Sequence, residues 1–309
     1  MSWLVLILLA VFIDAFIVFG DNYISDVYFK GRQSNAQKLL HGFCFVVSAI
    51  VIAIIAQVDL TKIPILAILL LIVSGMISSF ASIFYYRALE IEDSTNLSIF
   101  LQLAPLLYLV YECLVMGRDF TITQLIAFII ILLAPAIIVL CSRKNSRKTK
   151  LRAVAFAAIY VTVSVAGHIM FVRTNTDYNL SFVDAMTLLT FGKGVANLLI
   201  VYVLNRKLAK RFFTVKKQSH GKLIFPLAIN SIACVVKDFI YRYGLLLAPA
   251  MAFASAASDS VEPIVIFIVG IILTLINPKF GREKLNKKSV LVHLVATILV
   301  VVGIILLQF

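Results

Sequence analysis

Charge is what this sequence has least of. Only 14% of its 309 residues are Asp, Glu, Lys or Arg, against roughly a quarter in an ordinary globular domain. Polar residues gather nowhere into a stretch long enough for a soluble domain; the longest connections between apolar runs, 21–37 and 206–221, are loop-sized. No Gly-rich phosphate loop of the Walker type is present, no H-E-x-x-H, and no Cys/His cluster at metal-ligand spacing. These absences exclude ATP-driven pumping by this chain alone, argue against an enzyme, and leave no cofactor to expect. Cysteines are few. Cys44, Cys113, Cys141 and Cys234 lie in or at the ends of apolar runs without motif spacing, as buried helix residues do. The first apolar run has no basic segment before it and no small-residue cleavage site after it, and Asp14 interrupts it, so it reads as a span and not as a cleaved signal.

What is there is hydrocarbon. The chain is 62% hydrophobic with a mean hydropathy of +1.04. An apolar run of about 18 residues or more is a candidate span, and ten such runs follow one another, near 2–20, 38–57, 64–87, 94–115, 121–141, 152–172, 181–205, 222–247, 250–276 and 288–308. Backbone polar groups in lipid must be satisfied within the segment, so all ten are expected to be helices. The fold class is an all-α polytopic membrane protein of ten transmembrane helices. The net charge of +13 points to membrane lipids and not to nucleic acid, because the basic residues cluster in the connections 1–2, 5–6, 7–8 and 9–10. By that rule the odd-numbered loops face the cytoplasm and both termini face outward.

The stretch Phe84–Gln124 organises the chain. An apolar run closes on Tyr86-Arg87, an acidic turn follows (Glu90, Glu92, Asp93), the next run carries Gln102 and Pro105, and Gly117-Arg118-Asp119 turns into a further run. The pattern returns as Phe239–Arg242, Pro263 within an apolar run, and Gly281-Arg282-Glu283. Such a recurrence divides the chain into residues 1–141 and 151–309, joined by a basic linker at 142–150. Each half has five spans, and an odd number inverts the second copy. Inverted repeats of this kind bracket a substrate site near the membrane midplane.

In these motifs the sequence resembles the EamA family of the drug/metabolite transporter superfamily. The resemblance rests on Tyr86 to Leu89, Gln102 to Pro105, Gly117 through Thr121 to Gln124, Tyr241 to Ala250, Pro263 and Gly281-Arg282-Glu283. It departs where the family has Glu directly after the hairpin glycine: here Arg118 and Arg282 stand there, with Asp119 and Glu283 next. The resemblance implies two five-helix units, a secondary transporter or exporter of a small metabolite, and both termini inside, opposite to the charge count.

An ionisable side chain within a span is costly and is a functional candidate for that reason. Asp14 and His168 lie at similar depth in the first and sixth runs, the matching helices of the two halves. They suit a proton-exchanging pair, or else an interfacial acid and a satisfied histidine. Lys193 lies between Gly192 and Gly194, as an anion ligand or a structural ion-pair partner. Lys237 and Asp238 point about 100° apart and do not pair with each other. Asp259 and Glu262 share a face three residues apart, next to Pro263. That proline is expected to break its helix as Pro105 does in the fourth run, and broken helices in transporters coordinate ions and substrate. Arg87 and Arg242 read as snorkelling to the interface, Glu112 as reaching headgroups, and the tyrosines as interfacial belts or, second, as the lining of an aromatic pocket.

The cavity candidates are therefore Asp14, His168, Lys193, Lys237, Asp259 and Glu262. Together they fit alternating-access transport of a small-molecule substrate, proton-coupled, in a prokaryotic inner membrane. A lipid-linked carrier or flippase would share the fold. A membrane enzyme or a non-transporting sensor fits less well, since the charges are buried and spread over several helices.

Overall fold

Among the described residues, ten α-helices fall on the ten apolar runs. The computed structural model describes residues 2–28, 35–89, 103–142, 151–204, 220–276 and 287–306. The helices are α1 Trp3–Tyr28, α2 Asn35–Ile55, α3 Ile65–Leu89, α4 Leu103–Leu114, α5 Ile122–Ser142, α6 Leu151–Asp177, α7 Phe182–Leu204, α8 His220–Leu247, α9 Met251–Ile276 and α10 Lys287–Leu306. No strand occurs among the described residues. Two helices outrun their apolar stretch. α1 continues through a polar segment to Tyr28, and α6 continues to Asp177, where Arg173 and Asp177 pair at 3.9 Å one turn apart. Hydropathy marks the part of a helix in lipid, not the part that projects beyond it.

Among the described residues, five helices are long and apolar enough to cross a membrane: within α1, α3, α6, α7 and α9. Shorter apolar stretches lie in α2, α4, α5 and α10. α8 carries Lys237, Asp238 and Arg242, and its charges turn inward, as described below. Large apolar side chains such as Ile54, Ile65, Leu114, Leu275 and Leu291 are exposed. On a water-soluble protein such surface would be a liability; against acyl chains it is the expected coat.

The helices form two compact units. Unit 1 comprises 1–16, 84–165 and 240–309; unit 2 comprises 17–83 and 166–239. Each unit therefore draws on both sequence halves. The cuts recur at matching places: mid-way along α1 and α6, and towards the ends of α3 and α8.

Unit 2 is held by glycine-mediated contact. A Cβ at Gly75 would strike the backbone of Leu189, and one at Gly192 the backbone of Ile72, so α3 and α7 meet main chain to main chain. α2 crosses α7 with Gly42 against Leu198 and Asn197, and Val46 against Gly194. Partner numbers fall along α7 as they rise along α2, so these two helices run antiparallel. Ser74 Oγ donates to the Gly167 carbonyl at 2.7 Å, and Ser79 Oγ to the Lys193 carbonyl at 3.1 Å. Such hydroxyl bonds serve as glue where no hydrophobic force drives helices together.

Unit 1 is built around α9. Met251 to Ser258 are all buried. Ser260 Oγ donates to the Ile131 carbonyl of α5 at 3.0 Å, and Ile264 packs with Ala296 and Val300 of α10.

Candidate functional site

The N-terminus of α9 is capped by a residue 139 positions away. Glu112, near the end of α4, accepts from the backbone N–H of Met251 at 2.8 Å and of Ala252 at 3.1 Å. Arg118 Nη1 donates to the same carboxylate at 2.9 Å. Gly117, at φ +61°, supplies the left-handed turn that sends the chain back, and the Arg118 N–H bonds the Glu112 carbonyl at 3.0 Å. First-turn N–H groups lack intrahelical partners and attract anions. Glu112 is only 1% exposed, which overturns its reading as a headgroup-reaching acid. Its position near a helix end suggested lipid contact; the neighbouring helix start supplies the real partner.

One turn before Glu112 on α4 is Tyr108, 1% exposed. It lies within electrostatic reach of Tyr241 and Arg242 on α8, Asp259 on α9 and Tyr160 on α6. Tyr160 stacks obliquely on Tyr85 of α3, ring centroids 5.1 Å apart. Arg242 is likewise 1% exposed, so it does not snorkel. The belt reading fails for Tyr108 and suits Tyr243, which is exposed at 42%. Asp259 is half-buried and accepts from Ser255 Oγ at 3.2 Å. Unit 1 thus sets a cation, an acid and two tyrosines from α6, α8 and α9 around a buried phenol on α4, with Tyr85 of α3 behind Tyr160.

The expected helix break at Pro263 is corrected. α9 runs without interruption from Met251 to Ile276 with Pro263 inside it. The proline withholds an N–H from the Asp259 carbonyl one turn back, and the helix continues through that one missing bond. Pro105 is buried in the first turn of α4, where a missing N–H costs nothing, so it breaks no helix among the described residues. Gln102 lies outside them.

The remaining candidates divide between the units. Asp14 and Glu262 belong to unit 1 and are half-buried; His168, Lys193 and Lys237 belong to unit 2 and are half-buried too. Lys193 Nζ forms an ion pair with Asp238 of α8. Asp238 thereby joins the candidate residues, as do His41 and Ser231, whose Nδ1 and Oγ lie 3.3 Å apart. Unit 2 also has an open cleft of about 500 Å³ where α2 ends and α7 begins, lined by Asp59, Lys62, Tyr178 and Asp184 among others. It lies between two turned helix ends, away from the buried charges.

Several helices long and apolar enough to cross a membrane, with exposed apolar side chains and charged groups buried within each unit, define an integral, multi-pass membrane protein. Residues 1–140 match the EamA-like transporter family, so the motif-based resemblance is borne out over that stretch, and the chain is transporter-like there. No curated protein sequence matches it. The fold as a whole recurs among solved structures. One, titled only "Crystal structure of protein", is similar with a TM-score of 0.69 at 11% identity, covering 97% of this chain and 97% of that one.

Proposed function

We propose that the chain is a secondary carrier that exports a small metabolite by alternating access, coupled to protons, in a prokaryotic inner membrane. On this reading residues 1–141 and 151–309 are two inverted five-helix repeats joined by the linker 142–150. The matching unit boundaries in α1/α6 and α3/α8 support the repeat. Its inversion is supported by the antiparallel course of two helix pairs that would be repeat equivalents. α2 and α7 are one pair. α4 and α9 are the other, since the end of α4 meets the start of α9.

The observation that carries the reading is the polar centre around Tyr108. Arg242 and Asp259 lie within electrostatic reach of this fully buried phenol. Intramembrane charge of this kind is expensive and marks substrate and ion pathways. Asp14, Asp259 and Glu262 are assigned to protons or cations, and His168, Lys193 and Lys237 to proton exchange or anionic groups.

Reconstitution into liposomes with a metabolite panel, with and without a pH gradient, tests it. Asp259→Asn, Glu262→Gln and Lys193→Met should each cut flux at least tenfold, the effect of about 1.4 kcal/mol on a rate. Wild-type rates from all three variants would refute the assignment, and absence of flux for every metabolite would refute the carrier.

A further inference from the structure

Unit 2 contains a line of polar side chains of which the transport reading has used only Lys193. On α8, Ser231, Val235 and Asp238 fall on one helix face, with Ser231 and Asp238 two turns, about 10 Å, apart. On α7, Lys193 and the buried Asn197 stand one turn apart on one face. Lys193 pairs with Asp238. Asn197 lies against Gly42 of α2, the residue after His41, and His41 meets Ser231. The line thus runs from Lys193–Asp238 past Asn197 to His41–Ser231 through an apolar bundle.

Ser231 Oγ lies 2.8 Å from the Leu227 carbonyl and 3.3 Å from His41 Nδ1, and its one proton goes to either according to the tautomer of the imidazole. A buried ion pair contributes little to stability compared with apolar packing. An acid, a lysine and a histidine in file suit proton movement better than structure.

We propose that Asp238 and His41 are two further proton-binding stations of this protein, with Lys193 as the counter-ion of the first. A proton from the aqueous phase converts the Asp238 carboxylate to the acid and releases Lys193. The second station takes a proton on the unprotonated nitrogen of the His41 ring, and each proton returns to water. Other titratable groups on the surrounding elements are Cys44 on α2, His168 on α6, and Cys234 and Lys237 on α8; α3 brings hydroxyls, Ser79 among them. The role in transport rests on the carrier reading; the stations themselves do not.

The test needs no substrate. The protein, labelled with 15N-histidine, is placed in nanodiscs of phosphatidylethanolamine and phosphatidylglycerol and titrated by NMR. His41→Gln assigns one of the four histidines. The expected result is a His41 titration between pH 4 and 10 that Asp238→Asn displaces by about one pH unit, as a unit charge two turns away should. If Asp238→Asn does not fold, Lys193→Met should displace the same titration. A His41 that does not titrate, or that titrates identically in wild type and variant, overturns the proposal. Failure of the carrier reading is read separately, as no metabolite flux from wild-type liposomes.

Discussion

Glu112 accepts three hydrogen bonds, two of them from the first N–H groups of α9. Glu112→Ala would leave those donors buried without an acceptor, at a cost of about 2–4 kcal/mol. Glu112→Gln keeps an acceptor oxygen and should lose less. Thermal unfolding in detergent ranks the two variants; equal stability of Glu112→Ala and wild type would contradict the cap. Asp59 offers a milder case outside the spans. The Thr61 hydroxyl, then Lys62 and the Thr61 N–H, hold its carboxyl below the usual range. A depressed folded value means the ordering is present above the ordinary carboxylate pKa and is lost as pH falls through the folded one. Exchange of the Thr61 to Ile63 amides should therefore accelerate only on acidification below about pH 4. The same profile in Asp59→Asn would rule this out.

At the scale of elements, glycine sets how closely helices approach. Gly192 and Gly75 press main chain to main chain between α3 and α7, and an added Cβ meets carbonyl backbone in both cases. Gly192→Ala should cost about 1–3 kcal/mol or more, because a backbone neighbour cannot rotate aside. Gly117 is the contrast. A Cβ there meets nothing, and only its φ of +61° resists substitution, so Gly117→Ala should cost about 1 kcal/mol. Unfolding of both variants under one detergent condition checks the order. The ion pair between α7 and α8 also belongs to this scale, since its members are 45 residues apart.

At the scale of the whole molecule, inversion makes a topological prediction. The loop after the second span and the loop after the seventh should lie on opposite sides of the membrane. In a background lacking the four native cysteines, Gln57→Cys and Lys210→Cys should react with an impermeant maleimide from opposite faces. Labelling from one face would refute the inverted repeat. Which face is cytoplasmic separates the charge count from the family resemblance, which disagree.

The sequence by itself determined the helices. Their order and most boundaries among the described residues follow from apolar runs, five of them long enough for a bilayer, because a backbone in lipid has no other way to satisfy its polar groups. It also marked Lys193, Asp259 and Glu262, since a charge within such a run stands out by cost alone. Tertiary structure alone decided the partners. Hydropathy runs along the chain, whereas Glu112 finds α9, Lys193 finds Asp238 and His41 finds Ser231 across it. A helix-end glutamate or arginine reads as interfacial until its neighbours are known, and Glu112 and Arg242 are both buried at 1% exposure. Pro263 was legible as a residue and not as a break, because it removes one bond from a long helix and α9 continues through it.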